Sequence, residues 1–311
     1  MVSSPASVEY LTGFTGSNGL LLVAAEDCTL YTDPRYEAQA AEQVDCRVRV
    51  VKGALHTAVA GDVKRRRFHT LGFDPAKLSC ELYFALSSLL GEKTKLRPAG
   101  GIVESLRMIK SPAEVEAIAK AARLNSAAFH RSMRFLRPGV TEKDLAARID
   151  HQLRRLGASG PAFDTIVAAG PRSALPHAQP TDKSIANNEL VLVDMGARCA
   201  GYVSDMTRVA FPGGPSPAMR SAYKAVLEAQ LSAIDAVRAG VTAEEVDFAA
   251  RQVLREHRLD RYFVHSTGHG LGLEIHEKPR LGRGEKTTLQ AGMVITIEPG
   301  VYLEGAGGIR I

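Results

Sequence analysis

One sequence of helix-start signals occurs twice in this chain, and that repetition limits the fold more tightly than any figure of composition. Ser111, Pro112 and Glu114 supply a capping hydroxyl, a proline at the first helical position and a reciprocating glutamate. They predict a helix running to about Leu136 and stopping at Pro138-Gly139. A second helix opens at Thr141, with Asp144 in its first turn, and closes at Gly157, and strands are expected at 163–169, 189–195 and 202–210. The order then recurs. Ser216-Pro217 opens a long helix ending near Gly240, and Thr242 with Glu245 starts another ending near His257. Strands are expected at 262–265 and 293–298. The junctions share lettering, Arg137-Pro138-Gly139-Val140-Thr141 against Arg238-Ala239-Gly240-Val241-Thr242. Two copies are too few for a solenoid, so the expectation is a pseudo-two-fold domain with a cleft between its halves and a site drawn from both.

A different rhythm precedes the repeat. Short apolar runs at 20–25, 48–51 and 70–73 alternate with helix-like stretches at 36–43 and 78–90, the pattern of a small α/β unit. The spacing of Gly13, Gly16 and Gly19 fits neither a dinucleotide fingerprint nor a P-loop, so a tight turn is expected there. The domain boundary is placed between residues 104 and 110, giving domains 1–104 and 105–311, the first expected to lack its opening elements. With 311 residues, 45% hydrophobic and 23% charged, the chain has enough apolar material for a sizeable core. Its apolar runs are far shorter than the roughly 20 residues that cross a bilayer, and no secretion signal is visible. A cytoplasmic location is therefore expected, with no membrane partner. Cys28, Cys46, Cys80 and Cys199 show no paired short spacing and read as reduced, packed thiols. A net charge of +5 and one basic run, 64–67, read as a solvated face and not as a nucleic-acid groove.

The chemistry-bearing residues cluster in the duplicated region. Asp194 ends the apolar run 190–193, and Asp205 stands in the next polar-apolar alternation. A carboxylate at the end of a buried strand needs a cationic compensator, for which a metal would serve, although a capping or turn aspartate is an equal reading of the pair taken alone. His265, His269 and His276 lie in a glycine-rich stretch, and Glu298 ends the apolar run 293–297 in a setting like that of Asp194. Imidazoles bind metals and also donate protons to a developing oxyanion. The pattern is neither His-Glu-x-x-His nor a Gly-x-Ser-x-Gly elbow. An oxygen-rich set with one or two nitrogens favours a hard or borderline ion, manganese or cobalt, over a thiolate-type zinc site, and two ions close together would suit this many carboxylates.

These residues resemble the pita-bread metallopeptidases, in the aminopeptidase P and prolidase branch. The resemblance covers nearly the whole chain. Tyr10-Leu11-Thr12-Gly13-Phe14 is similar to a creatinase-type N-terminal domain, and Met108-Ile109-Lys110-Ser111 marks the junction. Pro176-His177, Val193-Asp194-Met195-Gly196, Ser204-Asp205-Met206-Thr207-Arg208, the three-histidine stretch, Ile297-Glu298-Pro299-Gly300 and Gly308-Ile309-Arg310-Ile311 complete the match. The resemblance implies an α/β (α+β) fold, a small creatinase-like α/β domain followed by a duplicated pita-bread α/β catalytic domain.

It further implies that Asp194, Asp205, His269 and Glu298 hold two divalent metal ions, manganese or cobalt with zinc as an alternative. His177, His265 and His276 would surround the substrate, and Glu298 would also relay a proton. The implied substrates are short proline-containing peptides, cut before proline, and the implied assembly is a homodimer. Another metal-bridging glutamate is implied directly after Ile311, so the chain is expected to be truncated at its end. A metal-free creatinase-like amidinohydrolase and a pita-bread binding protein with impaired catalysis are the alternatives. Three gathered acids speak against the first, and the intact ligand set against the second. A methionine aminopeptidase would share the ligands, but the preceding domain fits it less well.

Overall fold

In the computed structural model, which describes residues 1–311, chain contacts separate two units, Met1–Arg107 and Met108–Ile311. The first contains α1 (Pro5–Thr12), β1 (Gly19–Val23), β2 (Cys28–Thr32), α2 (Glu37–Gln43), β3 (Arg47–Val50), α3 (Leu55–Arg65), β4 (Thr70–Phe73), α4 (Cys80–Leu90) and β5 (Lys95–Pro98). A further helix, α5 (Ile102–Met108), follows. β2 pairs antiparallel with β1 and parallel with β3, while β4 and β5 form a separate parallel pair. Leu22, Tyr31, Val59, Val63 and Leu86 share one buried cluster between strands and helices. The turn expected at Gly13 is the cap of α1, an element the polar opening did not suggest; with φ 76 the glycine takes a left-handed conformation that a side chain would strain.

The second unit carries the duplication. Its first half runs α6 (Pro112–Met133), α7 (Glu142–Arg155), β6 (Gly160–Pro161), β7 (Ile166–Ala169), β8 (Val191–Met195), β9 (Ala197–Cys199), β10 (Tyr202–Val203) and β11 (Met206–Ala210). The second runs α8 (Pro217–Ala236), α9 (Ala243–Glu256), β12 (Gly268–Gly270), β13 (Glu277–Leu281), β14 (Gly300–Leu303) and β15 (Gly307–Arg310). The capping boxes at Ser111, Thr141 and Thr242 are all formed, and Ser216 caps α8 by accepting from the Met219 N–H. Each half buries its second helix against strands. Leu145, Ile149 and Leu153 of α7 meet Val167, Val193 and Met195, and Val246, Ala250 and Leu254 of α9 meet Leu281, Val301 and Ile309. Each large aliphatic buried in this way stabilises the fold by about 1.5–3 kcal/mol.

Backbone bonds repeat as well as letters. Gly139 donates to the Ile185 carbonyl and Ile185 to that of Val140; in the second half Gly240 donates to Leu289 and Leu289 to Val241. Isolated bridges join Thr141 to Ser184 and Thr242 to Thr288. From those fixed pairs, Asp194 and Glu298 stand equally far along their halves.

Three expected strands differ. The stretch 202–210 splits into β10 and β11, because the chain leaves the ladder at Ser204 and Asp205; the Ser204 hydroxyl accepts from the Ala197 N–H. Tyr262–His265 does not form a strand: Asp260–Tyr262 is a turn of 3-10 helix, and Arg251 binds the carbonyls of Phe263 and His265 that a ladder would have used. Residues 293–298 run alongside β12 without a regular ladder, since the His269 N–H goes to the Thr296 hydroxyl. α6 also ends at Met133, short of the expected Leu136. No helix is long and apolar enough to cross a membrane.

Candidate metal centre

The first-half acids are delivered by one antiparallel pair. Asp194 is near the end of β8, opposite Thr207 of β11 and Ile166 of β7, and Asp205 immediately precedes β11. The turn that joins them requires glycine at 196, because a Cβ there would stand 2.3 Å from the Ser204 carbonyl oxygen. The second-half groups come from β12 and the irregular segment beside it. Thr296 donates its N–H to the His269 carbonyl and Glu298 donates to that of Thr267. Gly268 allows this approach, since a Cβ would lie 2.0 Å from the Thr296 carbonyl oxygen.

Asp205, His269 and Glu298 converge. His269 Nε2 is 3.5 Å from Asp205 Oδ2 and 3.1 Å from Glu298 Oε1, and one ligand atom from each of the three lies within 4.8 Å of the others. The His269 ring is oriented by a 3.0 Å contact from Nδ1 to the Gly270 carbonyl, and Glu298 Oε1 accepts from the Thr296 hydroxyl at 3.0 Å. Burial disfavours a charged His269, but its bonds to Asp205 and Glu298 outweigh that and hold its pKa up at about 10. Burial raises Glu298, yet the bond from His269 and its charge carry the net shift downward.

Asp194 stands beside them under different constraints. Its Oδ2 accepts from Arg310 at 2.6 Å, whereas Oδ1 is buried with no hydrogen-bond partner. Burial, and to a lesser degree the charges of Asp205 and Glu298, push its pKa up to about 7 against the pull of Arg310. A buried carboxylate oxygen without a donor, next to two further acids, fits a set of oxygen ligands awaiting a cation. The residues present therefore suit a divalent ion, with one imidazole and three carboxylates as donors.

The remaining predicted histidines occupy different surroundings. His276 is exposed and meets His269 edge-on, ring centroids 4.4 Å apart; partial desolvation, then the charge of His269, lowers its pKa. His177 is also exposed. His265 is half-buried with both ring nitrogens engaged. Nδ1 lies 2.7 Å from the Ser266 carbonyl, which can only accept, so in the neutral ring Nε2 accepts from the Tyr302 hydroxyl at 2.8 Å. For His265 to donate to a substrate, Tyr302 would have to release it.

Several residues at this centre have no assigned role in the sequence reading. Arg310 reaches Asp194, the Thr207 hydroxyl at 2.9 Å and the Tyr302 hydroxyl at 2.7 Å. The Arg310 motif was visible, but nothing in it names an ion-pair partner. Asp247 accepts from the N–H and hydroxyl of Thr267 and from Arg251, and thereby ties α9 to the histidine-bearing segment. A polar residue on the buried face of an amphipathic helix was the available signal.

Residues 116–311 match metallopeptidase family M24. The chain belongs to that family. Residues 1–109 match the creatinase/prolidase N-terminal domain, so the M24 domain follows a creatinase-like one in a mixed α/β architecture. The chain is 37% identical over 314 residues to the Xaa-Pro dipeptidase of Pyrococcus furiosus, covering 100% of this chain and 88% of that one. The structure of an Xaa-Pro dipeptidase from Bacillus anthracis superposes with a TM-score of 0.96 at 38% identity, over 100% of this chain and 87% of the other. That of an X-Pro aminopeptidase from Thermotoga maritima gives 0.91 at 39%, over 99% and 88%. M24 metallopeptidases use divalent metals, and the cluster of Asp205, His269 and Glu298 is a site of suitable composition for one.

Proposed function

We propose that this M24 protein hydrolyses the peptide bond preceding proline in short peptides, with two divalent ions held by Asp194, Asp205, His269 and Glu298. The observation that carries the reading is the convergence of Asp205, His269 and Glu298 from both halves of the repeat, beside the unpaired oxygen of Asp194. Its preference for proline is supported by the names of the relatives, which include both dipeptidases and an aminopeptidase. Bound ions supply a nucleophile at neutral pH, by lowering the pKa of water from about 15.7 toward about 7, and polarise the scissile carbonyl.

The side chains do the rest. Glu298 takes the proton released by the attacking water and passes it to the leaving proline nitrogen; the Thr296 hydroxyl fixes one of its oxygens, which orients the other. His276 is exposed beside His269 and donates to the oxygen that becomes negative as the carbonyl is attacked, a role in which one lost donor costs roughly 100–1,000-fold in rate. His177, in the connection between β7 and β8, positions the peptide. His265 acts through Tyr302, which it holds against Arg310. The same reading takes manganese or cobalt as the ions, a homodimer as the assembly and the cytoplasm as the location.

Metal analysis of the purified protein, coupled to a panel of proline-containing dipeptides and tripeptides, tests it. Bound manganese or cobalt with cleavage only before proline is the expected result. Metal-free protein that cleaves none of the panel after addition of either ion would overturn it, and cleavage of tripeptides alone or dipeptides alone sorts aminopeptidase from dipeptidase.

A further inference from the structure

Cys28 and Cys46 are remote in sequence and adjacent in the sheet. β2 and β3 run parallel with Thr29 opposite Arg47 and Leu30 opposite Val48. One step earlier in that register, Cys28 at the start of β2 stands beside Cys46, the residue just before β3. Side chains alternate along a strand, so Cys28 shares a face with Leu30, and Cys46 with Val48. Tyr31 and Arg49 occupy the other face, where the guanidinium lies 5.9 Å from the ring centroid. Packing agrees with this assignment: both thiols meet the same buried group of Val8, Phe14, Leu21, Leu30 and Ala40. Both are half-buried and free. Neighbouring strands lie about 4.8 Å apart, within the about 4.4–6.8 Å Cα separation that disulfides use. The two thiols also sense each other, since burial first and the Cys28 side chain second push the Cys46 thiol up to about 11.

We infer that Cys28 and Cys46 form a reversible disulfide by exchange with a small-molecule disulfide such as oxidised glutathione. The Cys28 thiolate attacks one glutathione sulfur, the sulfur–sulfur bond breaks, and one glutathione leaves as a thiolate and is protonated. The Cys46 thiolate then attacks the Cys28 sulfur and expels the second glutathione. Two protein thiols are oxidised to one disulfide while one glutathione disulfide is reduced to two thiols, and excess reduced glutathione reverses the exchange. The bond closes a ring that contains α2 and fastens β3, the edge strand of its sheet, to the strand beside it. Cross-linking of this kind restricts the unfolded chain and resists its opening. Cys80 is exposed on α4 and Cys199 is buried in the other unit, so neither competes for the pair.

The test uses the wild-type chain, incubated with oxidised glutathione, alkylated, digested and mapped by mass spectrometry. The expected result is a cross-linked peptide pair containing Cys28 and Cys46, and loss of two of the four alkylatable thiols once any adduct on Cys80 is set aside by its own peptide. Reduced glutathione should restore both, and Cys46→Ser should retain glutathione on Cys28, because no second thiol can expel it. Thiols at both positions that stay alkylatable, glutathione adducts that persist on either without a cross-link in the wild type, or a link from either to Cys80 or Cys199 would each overturn the inference.

Discussion

The two halves of the M24 domain start alike and diverge where the chemistry lies. In the first, β7, β8 and β11 make an uninterrupted antiparallel ladder, with Ala168 opposite Leu192 and Ile166 opposite Asp194. In the second, the equivalent places are taken by His269, Thr296, Thr267 and Glu298. The bond from the Glu298 N–H to the Thr267 carbonyl survives, but at the next pair the His269 N–H is taken by a side-chain hydroxyl. One copy is a regular apolar frame that aims two carboxylates; its partner has a looser backbone in which side chains replace ladder bonds. A duplicated scaffold can thus specialise by changing which atoms satisfy the backbone, while its helices and caps are kept.

The sharpest way to break this picture is to remove one donor from each half. Asp205→Asn and His269→Ala should be equally damaging, because each deletes a ligand atom from a cluster to which both halves contribute. Either variant should lose most of an acceleration that in enzymes begins at about 10⁶-fold. Turnover of a proline dipeptide, metal content and circular dichroism would be measured together. Full activity in one variant and none in the other would place the centre in a single half.

A second comparison concerns the buried acids that tie each half's second helix to its loops. Glu142 accepts from the Ala169 N–H, Arg172 and both the N–H and hydroxyl of Thr181; Asp247 accepts from Arg251 and both the N–H and hydroxyl of Thr267. The same three kinds of donor are met from different helix positions. Asp247→Ala should cost about 3–5 kcal/mol in urea denaturation, since it leaves buried Arg251 and buried Thr267 without their acceptor, and Glu142→Ala should cost less, since its partners Arg172 and Thr181 are only half-buried. Activity should separate them: Asp247 holds the residue two places before His269, so kcat should fall further for its variant at temperatures where both remain folded. Equal kcat in the two would show that the tie is structural only.

Much of this domain could be read from residues whose partners are close in sequence. Ser111, Thr141, Ser216 and Thr242 announced their helices because a cap acts over three residues, and Asp194 and Glu298 stood out because each ended an apolar run. What the letters leave out depends on distant atoms. Arg310 next to Asp194, Tyr302 against His265 and Cys28 beside Cys46 are set by topology and register, which leave no mark on local spacing. The apolar letters of segment 293–298 predict a strand, and a single hydroxyl, that of Thr296, takes the His269 N–H in place of a ladder bond. β2 leaves no strand signal because Thr29, Leu30, Tyr31 and Thr32 are all buried, which removes the alternation that marks a strand.

That hydroxyl is itself testable. Thr296→Val keeps shape and β-branching while removing the acceptor for the His269 N–H and the donor to Glu298 Oε1. A buried donor left unsatisfied costs about 1–3 kcal/mol, which chemical denaturation would read. Proton relay should weaken in parallel, so kcat is expected to fall more than KM changes. A variant as stable as wild type would mean that the irregular ladder of the second half can recover a backbone acceptor, as the first half has.

The smallest effect examines what the halves kept in common. Thr141 and Thr242 each accept from the N–H three residues on, at 3.0 and 3.3 Å, and each is answered by the acid there, Asp144 or Glu245. Thr141→Ala and Thr242→Ala should each cost about 1 kcal/mol, the usual value of an N-cap, and should leave turnover unchanged because both caps lie outside the ligand cluster. Glu245 binds the Thr242 N–H at 2.6 Å and its hydroxyl as well, whereas Asp144, one methylene shorter, reaches the Thr141 N–H at 3.3 Å. The second cap should therefore be the costlier to remove by a few tenths of a kcal/mol, and Asp144→Glu should narrow the gap. If the first cap proves the stronger, the reach of the acid is not what sets the value of these boxes, and the preserved helix starts would owe their strength to the bridges from Thr141 to Ser184 and from Thr242 to Thr288 instead.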